Sequence, residues 1–315
     1  MKPFEAPVAY NPLLGIAFKI ASVAIFVGMS SFIKAAGQLP AGQIVFFRSF
    51  FAIFPVLVFL AWRRELATAI RTSHPGSHIL RGIVGVSSMA LTFFALTRLP
   101  LPEAITINYA QPLLVVVFSA LFLGEVIRIY RWSAVAVGLI GVLIVSAPSL
   151  TLLGSGASLD NQQLAGVLAA LGGASISAVT MLLVRKLVRT ERTPTIVIWF
   201  SLTASAAALL SIPFGWEPIT GMQAVFLVSA GICGGVAQIF MTEAYRHAEA
   251  STVAPFEYTS MILAIAVGYL VFGDVPTIYM LVGGSIVIGA GIFIVWREQR
   301  LGLEREAARK AAPPQ

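Results

Sequence analysis

Two stretches decide how this chain is read: LLGIAFKIASVAIFVGMSSFIK at 13–34 and LAGVLAALGGASISAVTMLLVR at 164–185. Both are apolar almost throughout, and both are long enough to cross a bilayer as a helix, which takes ~20 residues. Each opens on Leu-x-Gly and ends on a cation, so Gly15 stands to Lys34 as Gly166 stands to Arg185. The likeness continues outward. Ile44-Val45 and Ser49 return as Ile196-Val197 and Ser201. Gly82, Gly85 and Ala95 return as Gly231, Gly234 and Ala244, Tyr109 as Tyr258, and Gly124-Glu125 as Gly273-Asp274. Gly, Ala and Leu are common in apolar helices, so single matches carry little weight. Their shared order does, and the chain reads as a duplicated unit.

The composition points the same way. Of 315 residues, 58% are hydrophobic and only 11% charged, with a mean hydropathy of +0.89. Soluble domains carry about a quarter charged residues, so half the usual surface charge is missing and a soluble fold is excluded. No long polar stretch is left for a separate globular domain, which excludes a single-anchor protein too. The first apolar run is too long for a removed signal peptide and lacks a small-residue cleavage site. Cys233 is the one cysteine, so no intrachain disulfide forms.

Apolar runs bounded by charge, Gly or Pro predict ten transmembrane helices, at 13–35, 41–62, 79–97, 102–123, 132–148, 164–184, 195–213, 222–244, 251–271 and 277–296. The fold class is therefore an all-α polytopic membrane protein. Its expected divisions are a cytoplasmic N-terminus (1–12), a first five-helix unit (13–148), a periplasmic linker (149–163), a second five-helix unit (164–296) and a charged cytoplasmic tail (297–315). Seventeen of the 21 Lys and Arg residues, Arg81 among them, fall in segments on one side of such a bundle. Lys34 and Arg98 fall on the other side, while Lys19 and Arg48 lie within spans. The positive-inside rule then puts both termini in the cytoplasm of a bacterial-type inner membrane. The lipid bilayer is thus a partner, the net charge of +7 is a topology signal facing anionic lipid, and nucleic acid is no expected partner.

Five spans per unit is an odd number. Two such units in series cross the membrane in opposite senses, which makes an inverted repeat around a central cavity, an architecture of secondary transporters. The bland alternative is a duplicated membrane scaffold that transports nothing.

At its closing signatures the chain resembles the EamA family of the drug/metabolite transporter superfamily. The first signature is Ala120-Leu121-Phe122-Leu123-Gly124-Glu125 followed by Gly138-Leu139-Ile140-Gly141. The second is Tyr269-Leu270-Val271-Phe272-Gly273-Asp274 followed by Gly283-Gly284 and Gly289-Ala290-Gly291. Lys34 at the end of the first span and Phe47-Arg48-Ser49-Phe50 in the second are similar to the family as well. The resemblance implies ten helices and a substrate cavity lined by the first four helices of each half. It also implies a peripheral fifth helix that supports homodimer contacts. The implied cargo is a small-molecule metabolite, with exporters of aromatic amino acids among the family's members.

Ionisable residues inside a span cost ~2.5–3.5 kcal/mol on insertion scales and are functional candidates by default. Lys19 sits about two turns from the cytoplasmic face and is expected to snorkel. Arg48, seven residues into its span, is a cavity candidate; its counterpart is Phe200, so the charge is asymmetric between the halves. Glu243 is expected to pair with Arg246. The fourth and ninth spans hold matching polar clusters, Asn108-Tyr109-Ala110-Gln111-Pro112 and Glu257-Tyr258-Thr259-Ser260. Pro112 and Pro255 free backbone carbonyls there, which is tolerated only in a protein-packed or wet environment. The substrate-binding candidates are therefore Glu257, Tyr258, Asn108, Tyr109, Gln111 and Arg48, joined by Phe94, Trp199, Gln238, Thr242 and Ser88. Interhelical hydrogen bonding is the competing role for the polar ones.

No phosphate-binding loop of the G-x-x-x-x-G-K-[ST] type occurs, and no cofactor is expected. His74, His78 and His247 do not combine with Cys233 into a metal site, and no triad of nucleophile and base is present. No enzyme is expected. The residues read best as a secondary transporter working by alternating access, with amino acids, including aromatic ones, exported. Uptake of another metabolite, such as a vitamin or a nucleoside-type compound, is the alternative. One intramembrane carboxylate in only one half favours facilitated or gradient-driven exchange over proton coupling.

Overall fold

Helix starts and stops are set by local chemistry. Asn11 begins the first helix by accepting a hydrogen bond from the Leu14 amide at 3.2 Å, with Pro12 at the first turn. Thr220 and Gln223 form a reciprocal capping box at the start of another. In the computed structural model, which describes residues 11–64, 66, 70–72, 74–123, 129–151, 161–187, 191, 193–248 and 254–311, the described residues form helices and no strands. Gly124-Glu125, Arg189 and the predicted outer loop at 155–160 lie outside the described residues, as does the Arg246 side chain.

The helices are α1 (Pro12–Ala35), α2 (Ala41–Trp62), α3 (Pro75–Leu96), α4 (Leu101–Asn108), α5 (Ala110–Leu123) and α6 (Ile129–Thr151). They continue with α7 (Asn161–Leu187), α8 (Thr193–Leu209), α9 (Gly221–His247), α10 (Thr259–Val267) and α11 (Ile278–Ala311). The α4–α5 break falls at Tyr109, three residues before Pro112, whose ring excludes the carbonyl of residue 108 and offers no N–H. A 3-10 turn at Ala254–Tyr258 precedes α10, and a π-helical turn at Gly268–Phe272 follows it.

Seven of these segments are long and apolar enough to cross a membrane: Leu13–Ala35, Ala41–Trp62, Pro75–Leu96, Leu101–Phe122, Gln162–Val184, Gly221–Ala244 and Ile278–Arg297. The chain is a multi-pass membrane protein. Ten spans are expected from the sequence; the other three apolar helices, Trp132–Ala147, Pro194–Leu209 and Phe256–Phe272, are shorter. At 1.5 Å per residue they cover about 25 Å, against a hydrocarbon core of ~30 Å.

Packing repeats with the two half-chains exchanged. The helix α1 lies on α9, and α7 lies on α3; α2 contacts α8 and α9, while α8 contacts α2 and α3; α6 pairs with α11. Single residues follow the same exchange. Ser22 Oγ donates to the Ala237 carbonyl at 2.8 Å, and Ser88 Oγ donates to the Gly173 carbonyl at 2.9 Å. Ser22 and Gly173 correspond as Gly15 and Gly166 do, and Ser88 and Ala237 as Gly82 and Gly231 do. A Cβ on Gly15 would lie 2.6 Å from that of Ala248, and one on Gly166 would lie 2.9 Å from Leu99 Cγ. At the α6–α11 contact backbone meets backbone, because a Cβ on Gly283 would lie 2.5 Å from the Gly141 carbonyl oxygen. Small residues let backbones meet where lipid offers no hydrophobic driving force.

Candidate functional site

Tyr109 and Tyr258, the sequence counterparts in α4–α5 and in the 3-10 turn before α10, touch edge to face. Their ring centroids are 5.3 Å apart at 67°. The Tyr109 hydroxyl also hydrogen-bonds Ser260, whose own hydroxyl bonds the Glu257 carbonyl at 2.6 Å. The two polar clusters therefore meet. Asn108 and Gln111 flank Tyr109 and are half-buried.

Beside this pair the Lys19 ammonium from α1 forms an ion pair with the Glu257 carboxylate. The expectation that Lys19 snorkels is overturned, since its side chain is 1% exposed whereas Glu257 remains 46% exposed. A buried ammonium is held far better by a carboxylate than by reaching for a distant interface. Glu243, expected to bind Arg246, has Arg63 Nη1 at 3.6 Å and His247 Nδ1 at 4.0 Å.

A second polar centre lies in the middle of the bundle, between α2, α3, α8 and α9. There a small cavity, with room for about one water in this conformation, is lined by Arg48, Arg81, Phe200, Ser201, Gly234 and Gln238, with Ala52, Val56, Val197 and Gly235 as its other walls. Arg48 is 8% exposed and its Nε has no hydrogen-bond partner. Arg81 Nε and Nη1 are likewise buried and unpartnered, and its guanidinium lies 3.7 Å from the centre of the Phe200 ring. Glycines make room for these groups. A Cβ on Gly234 would stand 3.2 Å from Arg48 Nε, and one on its counterpart Gly85 would stand 2.9 Å from Phe200 Cε2.

Arg81 is the residue that sequence reasoning missed. Counted as a loop cation, it sits six residues into α3 with its side chain turned inward, so sixteen loop cations rather than seventeen face the two on the other side. The signal was present, because Arg81 falls inside the span predicted at 79–97.

The remaining candidates are dispersed. Gln238 lines the central cavity, and Thr242 Oγ1 donates to its carbonyl at 2.8 Å one turn on. Ser88 is spent on the α3–α7 contact already described. Phe94 lies under the Arg98 guanidinium at 3.7 Å. Trp199 stacks on His78 with centroids 5.5 Å apart and donates from Nε1 to the Ile70 carbonyl at 3.0 Å. At the end of the bundle where α3 gives way to α4, Gly273 adopts φ +70° and turns the chain so that Asp274 meets Lys34 at 2.8 Å and the Leu101 amide at 3.1 Å. No group of three or more His, Cys, Asp or Glu placed to hold a metal occurs among the described residues.

The sequence profile of the EamA-like transporter family matches residues 13–147 and, a second time, residues 164–297. The chain belongs to this family. A riboflavin transporter of Rhizobium johnstonii is 29% identical over 289 residues, covering 91% of this chain and 90% of its own. The pseudopaline exporter of Pseudomonas aeruginosa is 30% identical over 284 residues, covering 88% and 94%. An S-adenosylmethionine uptake transporter of Rickettsia felis is 26% identical over 266 residues, covering 84% and 85%. A solved crystal structure superposes with a TM-score of 0.63 at 20% identity, covering 91% of this chain and 98% of that one, which establishes a shared fold. The relatives carry three different cargoes in both directions, so membership fixes a transporter family without fixing the substrate.

Proposed function

We propose that the chain is a secondary transporter that moves a small organic metabolite across the bacterial inner membrane by alternating access. The central cavity carries this reading, because it is walled by α2 and α3 from the first half and α8 and α9 from the second. A site shared by two halves at mid-depth is what rocking of one half against the other alternately exposes. The exchange-related contacts support two inverted five-helix units, 13–148 and 164–296, and the distribution of Lys and Arg supports both termini in the cytoplasm. A dry scaffold has no use for two cationic side chains facing one internal space.

An amino acid moved outward is the cargo we favour, with Arg48 taking its carboxylate. Uptake of a vitamin-like compound is the second reading, favoured by the relatives named for riboflavin and for S-adenosylmethionine uptake. Counterflow into proteoliposomes tests the function. Preloaded amino acid should accelerate entry of labelled amino acid, and acceleration by riboflavin alone would favour the second reading. Orientation is tested separately by alkaline phosphatase fusions, which should be active within 155–161 and inactive near Arg189. The reverse pattern would overturn the inside placement of the termini.

A further inference from the structure

We infer that Arg48 and Arg81 together form a docking site for the anionic part of the cargo, and that the cargo is an organic compound carrying two negative charges on carboxylate or phosphate groups. This rests on the transporter reading and narrows it; among amino acids it selects the acidic ones. The two side chains come from antiparallel helices. Arg48 lies seven residues from the start of α2 and Arg81 six residues from the start of α3, so they approach mid-depth from opposite faces. They meet in the one cavity together with Gln238 and Ser201.

The charge balance makes the argument. Among the described residues no carboxylate lies within ion-pair distance of either guanidinium, and three of their nitrogen atoms are buried without a hydrogen-bond partner. A buried charge is ordinarily paired, because leaving it unpaired in a low-dielectric interior is costly. Two like charges facing one space add repulsion to that cost. A ligand with two negative charges removes both penalties, whereas a monocarboxylate zwitterion cancels one charge and brings another cation. The donor type agrees, since guanidinium forks match carboxylate and phosphate oxygens in pairs. Phe200 braces the Arg81 fork from one face and leaves its edges toward the cavity. Both arginines belong to the first half; their counterparts, Phe200 and Ala230, carry no charge. The asymmetry is what a cargo with one charged end requires.

The test is thermal unfolding of the full-length protein in detergent with succinate, glutamate, inorganic phosphate, glycerol 3-phosphate, phenylalanine and chloride at matched ionic strength. The unfolding temperature should rise with the dicarboxylates or with the phosphates, and which pair acts identifies the group recognised. Phenylalanine and chloride should do nothing. Arg48→Gln and Arg81→Gln should each weaken the response about tenfold to a hundredfold in midpoint concentration. Without ligand, both variants should unfold no lower than wild type, because a buried unpaired charge has gone. Arg48→Lys and Arg81→Lys, which keep charge and lose the fork, should respond at intermediate concentration. Equal stabilisation by phenylalanine, an undiminished response in the Gln variants, or no response to any of the six probes would overturn the inference. Counterflow by wild-type and Gln-variant vesicles separates the two levels. Unchanged flux of a neutral or zwitterionic compound in both variants sinks the two-arginine site and leaves the transporter standing; absence of any flux in wild type counts against the transporter itself.

Discussion

Two charged centres sit within this bundle, and they are built on opposite principles. Lys19 is sealed from its surroundings and answered by Glu257. Arg48 is buried and Arg81 half-buried, and they face each other's charge across a cavity with no carboxylate among the described residues to answer them. The first arrangement is closed electrostatically, so its free energy depends on keeping both partners. The second is open, so its free energy improves when something is added. A stability measurement can tell these apart without knowing the cargo.

The largest effect is expected at the closed centre. Glu257→Leu leaves the Lys19 ammonium with its carboxylate removed, and breaking a buried pair from one side costs ~3–5 kcal/mol. Because Glu257 is half-exposed, the loss should fall at the lower end, roughly 3 kcal/mol. The double variant Lys19→Met/Glu257→Leu should recover most of it, since an apolar replacement of both partners is often neutral. Chemical or thermal unfolding of the three variants in one detergent measures this. A double variant no better than the single one would break the pairing argument.

How far was this legible beforehand? The repeat was, because Gly, Ser and aromatic residues recur in register, and the same register orders the observed contacts: Gly85 lies at Phe200, and Gly234 at Phe200's counterpart Arg48. Tyr109 and Tyr258 were singled out for the same reason, and their rings do meet. The Lys19–Glu257 pair was not legible. Its members stand 238 positions apart, and neither repeats in the other half, so no periodicity connects them. Arg81 was misread because a cation near the end of a span looks like a loop cation in one dimension. Only the azimuth of its side chain on α3 sends it inward toward Phe200. Depth is written in the sequence; azimuth depends on which helix packs alongside.

A smaller effect is expected where the ion pair lies near the loops. Lys34 and Asp274 are paired at 2.8 Å and are 16% and 18% exposed, so solvent screens them more than it screens Lys19. Asp274→Asn removes the charge while its amide oxygen can still accept from the Leu101 amide. The expected loss is about 1 kcal/mol or less, reduced further by high salt. A loss as large as that of Glu257→Leu would show that depth does not separate the two pairs, and would weaken the contrast between closed and open centres.

The smallest effect is expected at Arg81, and it is the most informative. Arg81→Leu removes a guanidinium that rests 3.7 Å from the Phe200 ring centre, and such a cation–π contact contributes about 0.5–2 kcal/mol depending on desolvation. The same substitution removes two buried donor nitrogens with no partner, each a burden on the order of 1–3 kcal/mol by the cost of unsatisfied polar groups. It also ends the repulsion with Arg48. These contributions have opposite signs and similar sizes, and leucine fills much of the vacated apolar volume beside Phe200. The net change in unfolding free energy should therefore lie within about 1 kcal/mol of zero, with a gain more consistent with an open centre than a loss. Deleting a deeply placed charge is ordinarily severe, so near-neutrality would be evidence in itself. A loss of roughly 3 kcal/mol, matching Glu257→Leu, would mean that Arg81 is held by a partner in the folded protein, and the two centres would then be of one kind.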